Sequence, residues 1–422
     1  PLYLIFAYLS RTPISISTTL MPLLPADRIQ SLPQSGTLTI YQQTQQLKAQ
    51  GYEICDLGIG EPLGTTPPHI QQAAKNAIDT GNYFKYPPIE GYADLRTAIA
   101  NKLRRDNHIP CEAENIVVSA GAKQALANVL LSLLNPGDEA IIYTPYWGTY
   151  ASLVKLTGAK PVFLKGSPKH NFEPTPKQLQ VALTPRTRAL LFSSPCNPTG
   201  LVFSKTSLEA MADVLQHHPQ VLVIADEIYE YIRFVDGYTS LGSLPNMADR
   251  VITVNGFSKS FSMTGWRVGY MAAPRWLAKA CTRLQGQLTG GVNTIAQRAA
   301  LAALELAEDE TAIGRIRDLY LTRRDLAVQL FKALPGFDFH IPSGAFYLFP
   351  DVRYYLGKTA GMTTMHDTNA FCAYVLTNAH VSLIPGTAFG APHCVRISYG
   401  VPEATLREAN DRLQQALARW QT

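Results

Sequence analysis

The hydrophobic pattern of the chain alternates between two periods. Short runs rich in β-branched residues are apolar at consecutive positions: Ile116–Ser119, Ala140–Tyr143, Ala189–Ser193, Val221–Ala225 and Val251–Asn255. Such runs mark strands buried on both faces of a parallel sheet. Between them lie stretches with helical spacing, such as Lys123–Leu134, Thr206–Gln216 and Thr294–Leu306. Strand and helix in alternation predict an α/β fold whose sheet is mainly parallel.

The last part of the chain reads differently. Tyr320–Leu334 has the period of a long helix, Ser343–Pro350 and Cys394–Ser398 read as strands, and Pro402–Arg419 as a closing helix. Tyr354–Thr368 is polar and irregular, which predicts a surface loop. The expected division is a large central domain over 66–324 and a smaller α+β domain built from 22–65 and 325–422. Residues 1–21 stand apart. Their apolar run Leu2–Leu9 precedes Arg11 and is too short to span a bilayer. A signal peptide would place its basic residues before the apolar run. This segment is therefore expected to be a non-native or disordered extension, with Met21 as the initiator of a cytoplasmic protein.

Composition narrows the class. The 422 residues are 46% hydrophobic and 16% charged, ordinary globular values. A formal net charge of +5 is mild for this length, and the basic residues are scattered, which gives nucleic-acid binding no support. The six cysteines form no CxxC pair and no cluster with histidine at metal-ligand spacing, so free thiols and no metal are expected.

In open α/β sheets ligands bind beyond the carboxyl ends of the strands. After the first predicted strand come the small residues Ala120, Gly121 and Ala122, opening a helix. Backbone N–H groups there can reach a phosphate. The second strand leads to Trp147, a flat ring able to stack on another. The third leads to Asn197 and the fourth to Asp226 and Tyr229. Asn197 and Tyr229 can hydrogen-bond a ring oxygen, and Asp226 can pair with a protonated ring nitrogen, making the ring an electron sink. The fifth leads to Ser258 and Lys259, with Arg267 eight residues on. Ser258 and Arg267 can add phosphate contacts, and a desolvated Lys259 can form a Schiff base. Each feature alone has an ordinary reading: a surface lysine, a solvated acid pair, a turn, a core tryptophan. A phosphorylated, aromatic, electrophilic cofactor would use all of them together.

These residues and their surroundings resemble the fold-type-I, class I aminotransferases that use pyridoxal phosphate, and within them the bacterial aspartate aminotransferase subgroup. The resemblance runs from about Pro25 to Trp420. It is carried by Gly60-Glu61-Pro62, Tyr86-Pro87-Pro88-Ile89-Glu90-Gly91, Gly121-Ala122-Lys123, Pro145-Tyr146-Trp147 and Asn197-Pro198-Thr199-Gly200. Further on, Asp226-Glu227-Ile228-Tyr229, the segment Ser258–Tyr270, Ser343-Gly344-Ala345-Phe346-Tyr347 and Val395-Arg396-Ile397-Ser398-Tyr399 extend it.

The resemblance implies further roles. Arg396 matches the arginine that grips the substrate α-carboxylate, and Gly60 a glycine whose backbone touches the same group. Trp147 and Asn197 also border the substrate. Lys123 matches a lysine that meets the cofactor side and the distal carboxylate of aspartate or glutamate. Tyr86 matches a tyrosine donated to the phosphate across a homodimer interface. The implied reaction is ping-pong transamination, with Lys259 as the base that moves the α-proton and Asp226 and Tyr229 tuning the ring. Three departures stand out. Gly256 replaces a phosphate-binding Ser or Thr, Cys196 precedes Asn197 where Asn or His is commoner, and Leu63-Gly64 replaces an acidic-aromatic pair. Two other readings share these motifs. One is a related pyridoxal-phosphate enzyme, either an aminotransferase for aromatic, alanine-type or prephenate substrates or a β-lyase. The other is a regulator that only senses the cofactor, which would need an attached DNA-binding segment.

Overall fold

The computed structural model describes residues 24–30, 32, 36–360 and 363–420. The expected extension over 1–21 lies outside them. The centre of the fold is a seven-stranded sheet. Its strands are β1 (Ile116–Ser119), β2 (Glu139–Thr144), β3 (Lys160–Lys165), β4 (Thr187–Ser193), β5 (Leu222–Asp226), β6 (Val251–Gly256) and β7 (Gly269–Ala272). Their order is β1-β7-β6-β5-β4-β2-β3. Only β7 runs antiparallel to its neighbours. Hence β1, β2, β4, β5 and β6 share one direction, and their carboxyl ends share one edge.

All five expected strands form, and their residues are almost wholly buried. Two strands escape the pattern. β3 is an edge strand whose Lys160 and Lys165 face solvent, so no continuous apolar run marks it. β7 is four residues long and starts at a glycine. Helices cover both faces. Thr294–Leu306 buries Ala296, Ala299, Ala300 and Ala303, small residues that let Pro68–Asp79 pack close. Asn293 caps its start through the Ala296 N–H at 2.8 Å, a contact worth about 1 kcal/mol.

The two ends of the chain share a core. Ile40, Cys55 and Leu57 pack with Phe331, Phe371, Val395 and Leu413. Cys55–Asp56 pairs in parallel with Val381–Ser382. Three expectations need correction here. The long helix runs Glu310–Lys332 and starts well before Tyr320, because Asp309 caps it through the N–H groups of Thr311 and Ala312. Of Ser343–Pro350 only Tyr347–Leu348 is strand, since Ala345 takes a left-handed φ of +55° that breaks the ladder. The segment Tyr354–Thr368 is not simply a surface loop: Tyr355 and Met365 are fully buried and anchor it. The six cysteines are free and buried. Among the described residues no helix is long and apolar enough to cross a membrane, and no cluster of His, Cys, Asp and Glu could hold a metal.

Candidate active site

The carboxyl edge of the sheet opens into a cavity of about 460 Å³. Ala122 and Lys123 enter it from beyond β1, Trp147 from beyond β2, and Asn197 from beyond β4. Asp226 and Tyr229 come from the end of β5, and Ser258, Lys259 and Arg267 from beyond β6. Gly60 and Arg396 complete it from outside the sheet. Two of the expected residues do not line it. Tyr86 is fully exposed, and Gly121 sits behind Arg267.

Gly121 precedes the helix Ala122–Leu133 with φ 82° and ψ 164°, a region essentially reserved for glycine. A Cβ there would lie 2.4 Å from Arg267 Nη2. The guanidinium thus rests on bare backbone at a helix start. It donates to Thr264 O at 2.8 Å and to Ala120 O at 3.4 Å. The N–H groups of Ala122 and Lys123 have no acceptor within their own helix. With Ser258 beside them, these donors form a cradle for a dianion. Gly256 adds nothing to it. A Cβ there would meet Gly269 Cα at 2.9 Å, so a side chain would have to displace backbone.

Lys259 faces the middle of the cavity and donates to Gly60 O at 2.5 Å. Burial, then the positive charge of Arg396, pull its pKa from the usual 10.5 down to about 8. At pH 7 roughly one amine in ten is then neutral, against fewer than about one in a thousand for an ordinary lysine. Asp226 is buried and accepts from Tyr150 OH at 2.7 Å and from the Ile228 N–H at 3.3 Å. Burial still pushes its pKa up to about 6, the behaviour of a carboxylate short of a cationic partner. Tyr229 shares a 2.7 Å hydrogen bond with the hydroxyl of Tyr347.

Arg396 is buried. Its Nη1 donates to Asn197 Oδ1 at 3.1 Å and its Nη2 to Gly58 O at 2.7 Å. The guanidinium lies 4.5 Å from the Tyr347 ring and 5.1 Å from the Phe389 ring. Its Nε is buried with no hydrogen-bond partner among the described residues. A Cβ at Gly60 would come within 2.8 Å of Tyr347 Oη, so a side chain there would have to push that hydroxyl aside. Lys123 Nζ sits 5.0 Å above the Trp147 ring. Burial, then Arg267, lower its pKa.

The sequence reading missed eight lining residues, among them Thr37, Glu61, Tyr150 and Tyr347. Tyr150 had a signal, since it lies one helical turn after Trp147 and stacks edge-on against it. Tyr347 closes a motif that the resemblance contains but is brought to Tyr229 only by the fold. The other departures fall outside the cavity. Cys196 is buried beneath the Asn197 turn, its Sγ turned to Pro145 O at 3.9 Å. Leu63 is held from Tyr320 Oη through its N–H at 3.0 Å.

Known proteins resemble the chain over most of its length. Residues 52–413 match the family described as aminotransferase class I and II. A bifunctional aspartate aminotransferase and glutamate/aspartate-prephenate aminotransferase of Petunia hybrida is 41% identical, over 92% of this chain and 82% of that protein. An aspartate aminotransferase of Rhizobium meliloti is 40% identical, over 94% of this chain and 96% of that one. A crystal structure of the aspartate aminotransferase from Rhizobium meliloti superposes with a TM-score of 0.90 at 38% identity, covering 94% of this chain and 99% of that chain. The aspartate aminotransferase of Thermus thermophilus with maleate gives 0.87 at 37% identity, covering 94% and 100%. The chain belongs to the class I and II aminotransferases.

Proposed function

We propose that the protein is a pyridoxal-phosphate-dependent aminotransferase that moves the amino group of aspartate or glutamate to a 2-oxo acid. The observation that carries this reading is one cavity holding a buried amine with pKa about 8, an acid short of a cation, and an arginine whose buried Nε has no partner among the described residues.

The residues fit pyridoxal phosphate. Arg267, Ser258 and the helix start at Ala122 would hold its phosphate. Asp226 would hold the proton of its ring nitrogen, and Trp147 would stack on the ring. Asn197 and Tyr229 would donate to the ring oxygen. When bound, the cofactor supplies an electrophilic aldehyde carbon and a ring that draws electrons from the substrate's α-carbon.

The chain's own groups then divide the work. Arg396 grips the α-carboxylate by charge-assisted bonds worth about 1.5–3 kcal/mol each. Gly60 lends backbone to the same end. Lys259 Nζ takes the α-proton and returns it, a transfer worth roughly 10²–10⁴-fold. Lys123 meets the distal carboxylate as a point charge on a flexible stem. One amino acid leaves as its 2-oxo acid before a second 2-oxo acid is aminated. A ring-bearing dicarboxylate such as prephenate is the second reading. An adjoining cavity of about 850 Å³ shares Gly60, Lys123, Trp147 and Arg396 and would accept the bulk.

The same proposal includes a cytoplasmic homodimer in which the fully exposed Tyr86 reaches the partner's phosphate site. It also includes a smaller domain built from 22–65 and 325–422 around the large domain 66–324. The test is a panel of amino donors with 2-oxoglutarate as acceptor. Aspartate and glutamate should lead it. A panel led by cationic or small apolar donors would refute the substrate assignment.

A further inference from the structure

Behind the strand ends, on the side away from the cavity, lies a polar cluster in which every member is buried: Lys102, Asn107, Glu227, Glu230, Ser240 and Asn255. Lys102 Nζ pairs with Glu230 Oε1 and donates to Asn107 Oδ1 at 2.7 Å. Asn107 Nδ2 reaches Glu230 Oε2 at 2.8 Å and Glu227 Oε2 at 3.1 Å. Ser240 Oγ donates to Glu227 Oε2 at 2.7 Å, and Asn255 Nδ2 to Glu230 Oε1 at 2.8 Å.

These contacts reach three of the five strand ends that carry chemistry, those of β4, β5 and β6. Glu227 is the residue after Asp226. Asn255 lies four before Lys259, and its own Oδ1 accepts from the Gly256 N–H at 2.7 Å. Tyr238 lies against Glu227 and donates its hydroxyl to Ser194 O at 2.9 Å, three residues before Asn197. The Ser194 N–H in turn donates to Asp226 O at 3.1 Å. Resting on the aminotransferase reading, we infer that this cluster is the positioning device of the active site. It locks the ends of β4, β5 and β6 so that Asn197, Asp226 and Lys259 face one another, with Glu227 in its neutral acid form.

The charge count requires a proton. Two buried carboxylates share one buried ammonium, and an uncompensated buried charge is strongly disfavoured. Lys102 is committed to Glu230, so Glu227 is the acid that stays protonated. Tyr238 gives its only hydroxyl proton to Ser194 O at 2.9 Å. Burial, then the neighbouring Glu230, push the Glu227 pKa up to about 8. Lys102 and Glu230 act on Glu227 by charge, and Tyr238 and, from β7, Tyr270 lie close enough to feel the charge of Glu227. Arg233 donates to Glu230 O at 2.9 Å and lies over the Tyr238 ring. An amide mimics a neutral acid in shape and in its one acceptor and one donor site. Glutamine should therefore replace Glu227, and alanine should not.

The experiment compares the full-chain protein with Glu227→Gln and Glu227→Ala. Difference infrared spectra of wild type against Glu227→Gln, taken without cofactor at pH 7, should show a protonated carboxyl carbonyl band that disappears as pH rises through about 8. With pyridoxal phosphate, Glu227→Gln should keep kcat for aspartate within about threefold. Glu227→Ala should lose about tenfold or more in kcat with KM little changed, and shift the pH profile of the bound cofactor's visible absorbance. Absence of the band, or equal loss of kcat in both variants, overturns the inference. If Glu227→Ala does not fold, the band and the glutamine variant still decide. A wild type that shows the band but transaminates nothing refutes the aminotransferase reading and leaves the charge assignment standing.

Discussion

Gly121→Ala tests the cradle by changing one atom. The backbone at 121 occupies a glycine-only region, so any side chain there costs about 1–3 kcal/mol in the folded state. The new methyl would also fall 2.4 Å from Arg267 Nη2 and 3.0 Å from its Cζ, which forces the guanidinium off its seat. A displaced guanidinium loses charge-assisted bonds to a phosphate worth about 1.5–3 kcal/mol. At about 1.4 kcal/mol per decade, pyridoxal phosphate should bind roughly ten- to hundredfold more weakly. Gly137→Ala is the control: it also carries a positive φ, +89°, but among the described residues nothing lies within 4 Å of its Cβ. Both variants should melt earlier without cofactor, and only Gly121→Ala should weaken binding in a visible-absorbance titration. A Gly121→Ala affinity within about threefold of wild type, with Arg267→Ala strongly impaired, would refute the seating argument.

Other outcomes follow from the same geometry. Lys259 must be neutral to attack the cofactor, and its pKa is about 8. The rate of pyridoxal phosphate uptake by cofactor-free protein should therefore rise with pH up to about 8 and then level; a midpoint near 10.5 would contradict the lowered pKa. Lys123→Ala should raise KM for aspartate and cut its kcat/KM by about tenfold or more, leaving alanine nearly unaffected; an unchanged preference for aspartate would remove Lys123 from substrate recognition. Tyr86→Phe should leave thermal stability unchanged, since the side chain is fully exposed within its own chain, while weakening pyridoxal phosphate binding in the dimer. Unchanged affinity in a titration would exclude donation across the interface.

What could be read from the sequence follows from how each feature is encoded. The strands that carry the chemistry are buried on both faces, so each is a continuous apolar run whose end marks a ligand position. β3 and β7 supply no ligand; β3 lacks that run, and β7 is only four residues long and starts at a glycine. The early start of the helix Glu310–Lys332 depends on the Asp309 cap rather than on an apolar stripe. In the cavity, Lys259, Asp226, Asn197 and Trp147 follow strand ends and were legible for that reason. Tyr150 and Tyr347 reach the cavity through packing across elements. Tyr347 is 118 residues from the Tyr229 hydroxyl it bonds, and no local spacing encodes that. The cluster behind the strand ends was equally hidden, because Lys102, Glu227 and Ser240 look like surface residues until the helix Ala93–Asn107 brings them together.

The central claim is that Lys259 is the amine that receives the cofactor. Protein loaded with pyridoxal phosphate should be treated with borohydride, digested, and analysed by mass spectrometry. The account predicts the reduced pyridoxyl phosphate on the peptide containing Lys259 and on no other lysine, Lys123 included. Label on a different lysine, or none on a protein that nevertheless transaminates, would contradict it.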